Sequence, residues 1–467
     1  MKKINVDHLP YINPERFFYF ISQFPYSFYM EVNWNKNQNY TVCGFSPFLI
    51  FKSKKKEIEI IEKEKLKKIK GEPIHEFQKI FDNFKINSDY FFSPGGIGYL
   101  SYDLIWHIEE LPDISKDDLN LPDIFVCFYE TILIFDNKNK KVFLLSSNLK
   151  NDRDFSKKIL QIKKFLKINI EKSQNFKEKD LKFKLEKLSS NMNIESYISS
   201  IEKIKNYIKE GDVYQINFSH RFEIKGNFKP YPLFLKLKKT NPAPYSAYFN
   251  FNEFILISNS PELFLKKKGK SIITKPMKGT RKVTDNPYLN KKIGKELLES
   301  EKDRAELIMI VDLERNDFGK ICEYGTVKVK KLINLERYKT IFQTTSTIEG
   351  KLKNGINFEK IIRAVFPGGS ITGAPKKRAI EIIEELEPTK RSFYTGCFGY
   401  FGFNRNLQLN ILIRTLLLKN GILYYPVGGG IVWDSIPEKE YEETIIKARN
   451  IFLTLGIKEN EIRSIVI

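Results

Sequence analysis

The stretch Ile272-Ile273-Thr274-Lys275-Pro276-Met277-Lys278-Gly279-Thr280-Arg281 opens as a β-branched run and then breaks. The run predicts a strand, Lys275-Pro276 ends it, and Gly279 lets the backbone approach a ligand closely. Lys278 stands at the break. A lysine at the mouth of a strand becomes a nucleophile when partial burial or a neighbouring cation lowers its pKa, and Lys275 and Arg281 are the candidate cations. Alone, a loop lysine reads as solvated surface. Its surroundings decide otherwise.

Outward from this stretch the chain reads as alternating strands and helices. Residues 194–209 carry isoleucines at helical spacing, and 213–224 alternate like a strand. Residues 245–251 and 254–258 pair plausibly, and Ser260-Pro261-Glu262 puts Glu262 at an apolar strand end. Residues 289–312 read as one helix with Asp303 and Glu306 on a shared face. Residues 367–376 are glycine-rich and open a helix over 376–386, a ready anion site, with Pro375 suited to the first helical position. Ala374 stands where a Walker A loop needs lysine. Residues 396–403, 408–418 and 422–427 read as central strands. Arg414 inside the second of these must be paired or bind an anion. Gly428-Gly429-Gly430 reads as a turn, and 438–455 as a helix carrying Glu440 and Glu443.

The first half reads as short strands over 40–45, 48–52, 97–101, 124–135 and 141–145, then a helix and a surface linker over 154–188. Of the chain's 467 residues 42% are hydrophobic, enough for a large core. The cysteines Cys43, Cys127, Cys322 and Cys397 show no paired metal spacing and fit a reducing cytoplasm. No apolar run follows Met1 to Asn5 as a signal peptide requires, and none is long enough for a membrane span. The net charge of +21 invites a nucleic-acid partner, but lysines are spread evenly and no recognition motif is present. No histidine lies beyond His220, so acid–base chemistry in the second half falls to carboxylates, lysine or tyrosine.

The second half thus offers two helical carboxylate pairs, a strand-end carboxylate, a lysine, a strand arginine and two glycine turns. Facing carboxylate pairs suit magnesium. The segments Ser260 to Glu262, Pro276 to Arg281, Ala305-Glu306 running to Asp317, Pro367 to Lys376, Ile413 to Thr415, and Gly428 to Ser435 with Glu440 and Glu443 resemble the chorismate-utilising enzymes. The resemblance covers most of the chain in matching order. It implies an α/β (α+β) fold, two large antiparallel β-sheets packed as a sandwich with helices outside. It also implies an N-terminal region over 1–170 and a chorismate-binding region over 190–460, interleaved in one unit.

Within that family the residue before Gly-Thr separates branches. Alanine is usual in anthranilate and isochorismate synthases and lysine in aminodeoxychorismate synthases, and here it is Lys278. The resemblance implies that Lys278 attacks C2 of chorismate while Glu262 protonates the departing C4 hydroxyl, with Gly279 and Thr280 beside the substrate. Glu306 and Glu443 would bind Mg²⁺, Asp303 and Glu440 acting through water. Arg414, Tyr394 and the backbone near Gly430 would meet the pyruvyl carboxylate. Gln343 replaces the family's common histidine and cannot carry a proton, which favours a product that keeps pyruvate. Tyr29-Met30-Glu31-Val32 replaces a Leu-Leu-Glu-Ser tryptophan motif. Ammonia is expected from a separate glutamine amidotransferase subunit, since no nucleophile elbow with a following His-Glu pair is present. The alternatives are anthranilate synthase within the family and, outside it, a non-catalytic basic nucleic-acid-binding protein.

Overall fold

The computed structural model describes residues 3–35, 38–88, 90–174, 183–338 and 341–463. Among these residues the strands form two 12-stranded sheets, with neighbours paired antiparallel. The expected sandwich is present. Phe28, Met30, Phe249 and Leu256 of the first sheet pack with Tyr99, Phe125, Phe398 and Tyr400 of the second. Helices cover both outer faces. Tyr197, Ile201, Ile204, Ile445 and Phe452 lie on the first sheet, and Phe77, Phe81, Leu307 and Ile361 on the second. Both sheets draw strands from the two ends of the chain. Phe28–Asn35 adjoins Tyr245–Asn250 in the first, and Gly95–Leu100 adjoins Cys397–Gly402 in the second.

Two long apolar runs read as single strands prove to be pairs of strands in different sheets. The run 124–135 divides at Glu130 into Ile124–Tyr129 of the second sheet and Thr131–Asp136 of the first. The run 408–418 divides into Leu407–Ile411 of the second sheet and Thr415–Lys419 of the first. Every strand here is buried on both faces, so no alternation marks the point of crossing. Arg414 is therefore not inside a strand. It lies in the crossing, with a left-handed φ of +50°.

Three other expectations are corrected. Residues 289–312 belong to two helices, Pro287–Glu299 and Glu301–Ile321, because Ser300 caps the second by accepting from the Asp303 N–H at 3.3 Å. The linker expected up to 188 ends in the strand Lys184–Ser190, paired on Gln215–Asn227, while residues 175–182 lie outside the described residues. Gly428 to Gly430 are not a turn but the end of the strand Ile422–Ile431. The helices 194–209 and 376–386 lie as expected, although Pro375 is the N-cap rather than the first helical residue. Cys43, Cys127, Cys322 and Cys397 are free and buried. Among the described residues no helix is long and apolar enough to cross a membrane.

Candidate active site

The site forms where the chain crosses between sheets. Pro261 and Glu262 connect Ile255–Ser260 of the first sheet to Leu263–Lys268 of the second, and Leu412 to Arg414 make the return crossing. The two crossings are bonded together. The Asn259 N–H donates to the Arg414 carbonyl at 3.1 Å, the Ile411 N–H to the Glu262 carbonyl at 3.1 Å, and Ser260 Oγ to the Ile411 carbonyl at 2.5 Å. Backbone bonding therefore fixes the candidate acid and the candidate anion-binding arginine relative to each other.

Glu262 is 3% exposed, and Ser370 Oγ donates to its Oε1 at 2.5 Å. Burial pushes the carboxyl up to about 7, against the Ser370 hydrogen bond and the positive charge of Lys278. Ser370 was not anticipated as a site residue, although it lies in the glycine-rich stretch flagged as an anion site. Gly373 and Ala374 of that stretch form a two-residue strand against Gln215 and Ile216.

Lys278 lies on Met277–Lys282, at the edge of the second sheet, paired with Ile341–Lys351. Its carbonyl accepts from Thr344 Oγ1 at 2.6 Å. Its Nζ lies 3.9 Å from Glu306 Oε2. Burial lowers the pKa of this amine, opposed by Glu306 and Glu262 and reinforced by Lys447. The expected cationic neighbours are engaged elsewhere, Lys275 with Glu336 and Arg281 with Asp303 at 2.8 Å. Gly279 sits at an irregularity in the ladder with φ +60°, and a Cβ there would meet Asp303 Oδ1 at 2.9 Å.

The Lys278 amine reaches across to the first sheet. A Cβ on Gly430 would stand 3.4 Å from Lys278 Nζ and 2.4 Å from Gln215 Nε2. Gln215 in turn donates from Nε2 to Glu306 Oε2 at 3.3 Å, a site neighbour that the strand pattern of 213–224 does not reveal. Gly430→Ala is accordingly expected to keep the fold, since the obstructing atom ends a movable side chain. Activity is expected to fall on the order of 10²-fold through displacement of the site amide. A melting temperature close to the parent's with lowered kcat/KM is the expected pair of readings.

The four helical carboxylates face this region from two helices, Glu301–Ile321 and Pro437–Leu455. A Cβ on Gly429 would meet Glu440 Oε2 at 3.4 Å and Glu443 Oε1 at 4.0 Å. Each acid is presently held by a donor. Asp303 pairs with Arg281, Glu306 with Lys278 and Gln215, Glu443 with Lys447 at 2.7 Å, and Glu440 accepts from Ser435 Oγ at 2.6 Å. Burial, and after it the Glu443 charge, raise the Glu440 pKa. Among the described residues no three His, Cys, Asp or Glu side chains gather as a metal cluster. The donor set is all oxygen, which fits a hard divalent cation by chemistry.

Gln343 is buried opposite Thr280, to whose Oγ1 its Nε2 donates at 3.3 Å. Tyr394 is buried with its hydroxyl 3.1 Å from where a Gly428 Cβ would lie. Tyr425 is buried, and the positive charge of Arg414 opposes the rise that burial gives its hydroxyl pKa.

Residues 26–452 match the chorismate binding enzyme family. The chain is 35% identical over 426 residues to aminodeoxychorismate synthase component 1 of Bacillus subtilis, covering 90% of each chain. It is 34% identical to anthranilate synthase component 1 of Acetivibrio thermocellus, covering 88% of this chain and 85% of that one. Its structure is similar to that of anthranilate synthase component I from Streptococcus pneumoniae, with a TM-score of 0.76 at 29% identity over 88% of this chain and 91% of the other. With these likenesses spanning both sheets and the crossings between them, the chain belongs to the chorismate-binding enzymes, in the group that includes anthranilate and aminodeoxychorismate synthases.

Proposed function

We propose that this enzyme is an aminodeoxychorismate synthase component 1, converting chorismate and ammonia to 4-amino-4-deoxychorismate for p-aminobenzoate and folate synthesis. The observation that carries the reading is the Lys278 amine, withdrawn from water, placed over Gly430 in a site that also holds the buried acid Glu262. Burial lowers its pKa, the direction that favours the neutral amine nucleophilic attack requires. The Lys278 lone pair forms a bond to C2, the ring double bonds shift, and the C4–O bond breaks. Glu262 gives its proton to the leaving hydroxyl, which departs as water, and the carboxylate so formed takes the surplus proton of the new C2 amine. Ammonia then bonds to C4, the double bonds shift back, and the C2–N bond breaks. One ammonia proton ends on the released Lys278 amine.

Arg414 and Tyr394 would orient the pyruvyl carboxylate, with Gly279, Thr280 and the Gly430 backbone beside the ring. Gln343, with no titratable proton, favours a product that retains pyruvate. Mg²⁺ would be held by Glu306 and Glu443, with Asp303 and Glu440 behind them, and supplies neutralisation of the ring carboxylate when bound. A separate glutamine amidotransferase would deliver ammonia. The four free thiols fit a reducing cytoplasm.

Incubation with chorismate, Mg²⁺ and an ammonium salt is expected to yield 4-amino-4-deoxychorismate. Release of anthranilate without an added lyase would reverse the reading in favour of anthranilate synthase.

A further inference from the structure

We propose that the cavity beneath the helix Phe155–Gln174 is a second binding site, one that takes a small apolar carboxylic acid. The cavity measures about 350 Å³, within the roughly 300–1,000 Å³ of small-molecule pockets. It lies on the outer face of the first sheet and shares no lining residue with the candidate active site. The helix turns one apolar stripe toward the sheet, with Phe155, Ile159, Ile162 and Leu166 at helical spacing. Phe155 and Leu166 are buried, but Ile159 and Ile162 between them are only half-buried, because the cavity lies under this part of the helix. Phe165 helps to hold the helix down, its ring 5.8 Å from that of Phe24 and 5.4 Å from that of Phe45. Cys43, Leu133 and Leu144 form the floor, so both walls are apolar. A bound water needs two to four polar partners, which these walls do not supply, whereas an apolar body fits them.

The mouth narrows the occupant, because the charges of the cavity gather there. Lys150 pairs with Glu62, and Lys158 with Asp152. Asp152 also accepts from the Asp154 N–H at 3.0 Å, and Glu130 from the Leu149 N–H at 3.1 Å. Lys63 is the exception. It is exposed, and among the described residues it has no ion-pair partner. It stands at the tip of the hairpin formed by Glu57–Glu62 and Lys65–Lys70, which is the edge of the second sheet. Lys63 and Glu64 both take a positive φ there, +46° and +66°, in a two-residue turn whose usual occupants are asparagine and glycine. The turn thus carries a cation from one sheet to the mouth of a cavity on the other. The uncompensated charge among the lining residues is positive, which matches a carboxylate and opposes an amine. An inorganic anion has no apolar body to set against the walls, and a neutral chain leaves Lys63 unused.

The test is calorimetric titration of the full chain with octanoate and with naphthalene-2-carboxylate, the chain and ring forms of this chemistry, each beside its uncharged amide. At least one acid is expected to bind, about fivefold more tightly than its amide, the value of one exposed ion pair. That preference is expected to shrink as salt is added. Lys63→Gln, at an exposed turn, is expected to remove the preference and leave the affinity for the amide unchanged. Ile162→Trp, which fills the cavity from the helix side, is expected to abolish binding of acid and amide alike while the chorismate KM stays at the parent's value. Should the tryptophan variant fail to fold, Ile159→Phe, from the same stripe, is read in the same way. Failure of both acids to bind the parent at millimolar concentration overturns the proposal. So does equal affinity for acid and amide, or a preference that survives Lys63→Gln. Binding that persists in the filled cavity also overturns it, since the acid would then sit elsewhere, the active site included.

Discussion

Replacing Lys278 by alanine is expected to lower turnover by on the order of 10⁴-fold or more, because a covalent path loses its nucleophile and not merely one of its supports. The expected mechanism can be seen directly. After exposure to chorismate and Mg²⁺ without ammonia, the parent should gain the mass of chorismate less water, and the variant should gain nothing. The fold should survive the change. The side chain's recorded contact is a 3.9 Å approach to Glu306, while the strand is held through the Lys278 carbonyl and Thr344. Lys278→Arg separates nucleophilicity from charge. It restores the cation beside Glu306, yet a guanidinium does not deprotonate in the working range, so the same loss is expected. An adduct of unchanged yield in Lys278→Ala would remove this lysine from the chemistry.

Much of the candidate site could be proposed from the sequence because its residues lie at punctuation. Glu262 follows Ser-Pro, Lys278 follows a strand-ending Lys-Pro, and the glycines of 428–430 interrupt an apolar run. Proline and glycine mark such breaks without reference to tertiary structure. What could not be read is where each break leads. The chain passes from one sheet to the other at Glu130 and again over Leu412 to Arg414, and the flanking strands are buried on both faces, so the hydrophobic pattern runs through each crossing unchanged. That is why Arg414 looked like a charge inside a strand when it occupies a left-handed corner.

Pairing across long separations was equally out of reach. Lys275 and Arg281 are near Lys278 in sequence, but Lys275 ends the preceding strand, the ladder is irregular between Lys278 and Thr280, and both cations are neutralised by acids from distant segments, Glu336 and Asp303. The cation that acts on Lys278 is Lys447, from a helix more than 160 positions later. Gln215 and Ser370 were within segments already singled out, yet neither residue type announces a role. Only their contacts with Glu306 and Glu262 do so.

Glu262→Gln is the second large effect, a loss on the order of 10²- to 10⁴-fold in the first chemical step. Hydroxide is a poor leaving group, and glutamine has the shape of glutamic acid without its transferable proton. The pH dependence carries the stronger test. Burial holds the Glu262 carboxyl near 7, so at lower pH it is protonated and able to donate, and as pH rises through that value the donor form is lost. Adduct formation in the parent should therefore fall on the alkaline side of about pH 7. Measuring that step without ammonia matters, because free ammonia itself becomes more abundant with rising pH and would mask the fall in overall turnover. In Glu262→Gln the slow residual rate should have no such alkaline limb, leaving only the rise caused by deprotonation of the Lys278 amine. A variant that keeps the parent's alkaline limb would assign the proton to another group, and Glu314, buried nearby and pushed up to about 8 by burial and by the charge of Glu262, would be the first to examine.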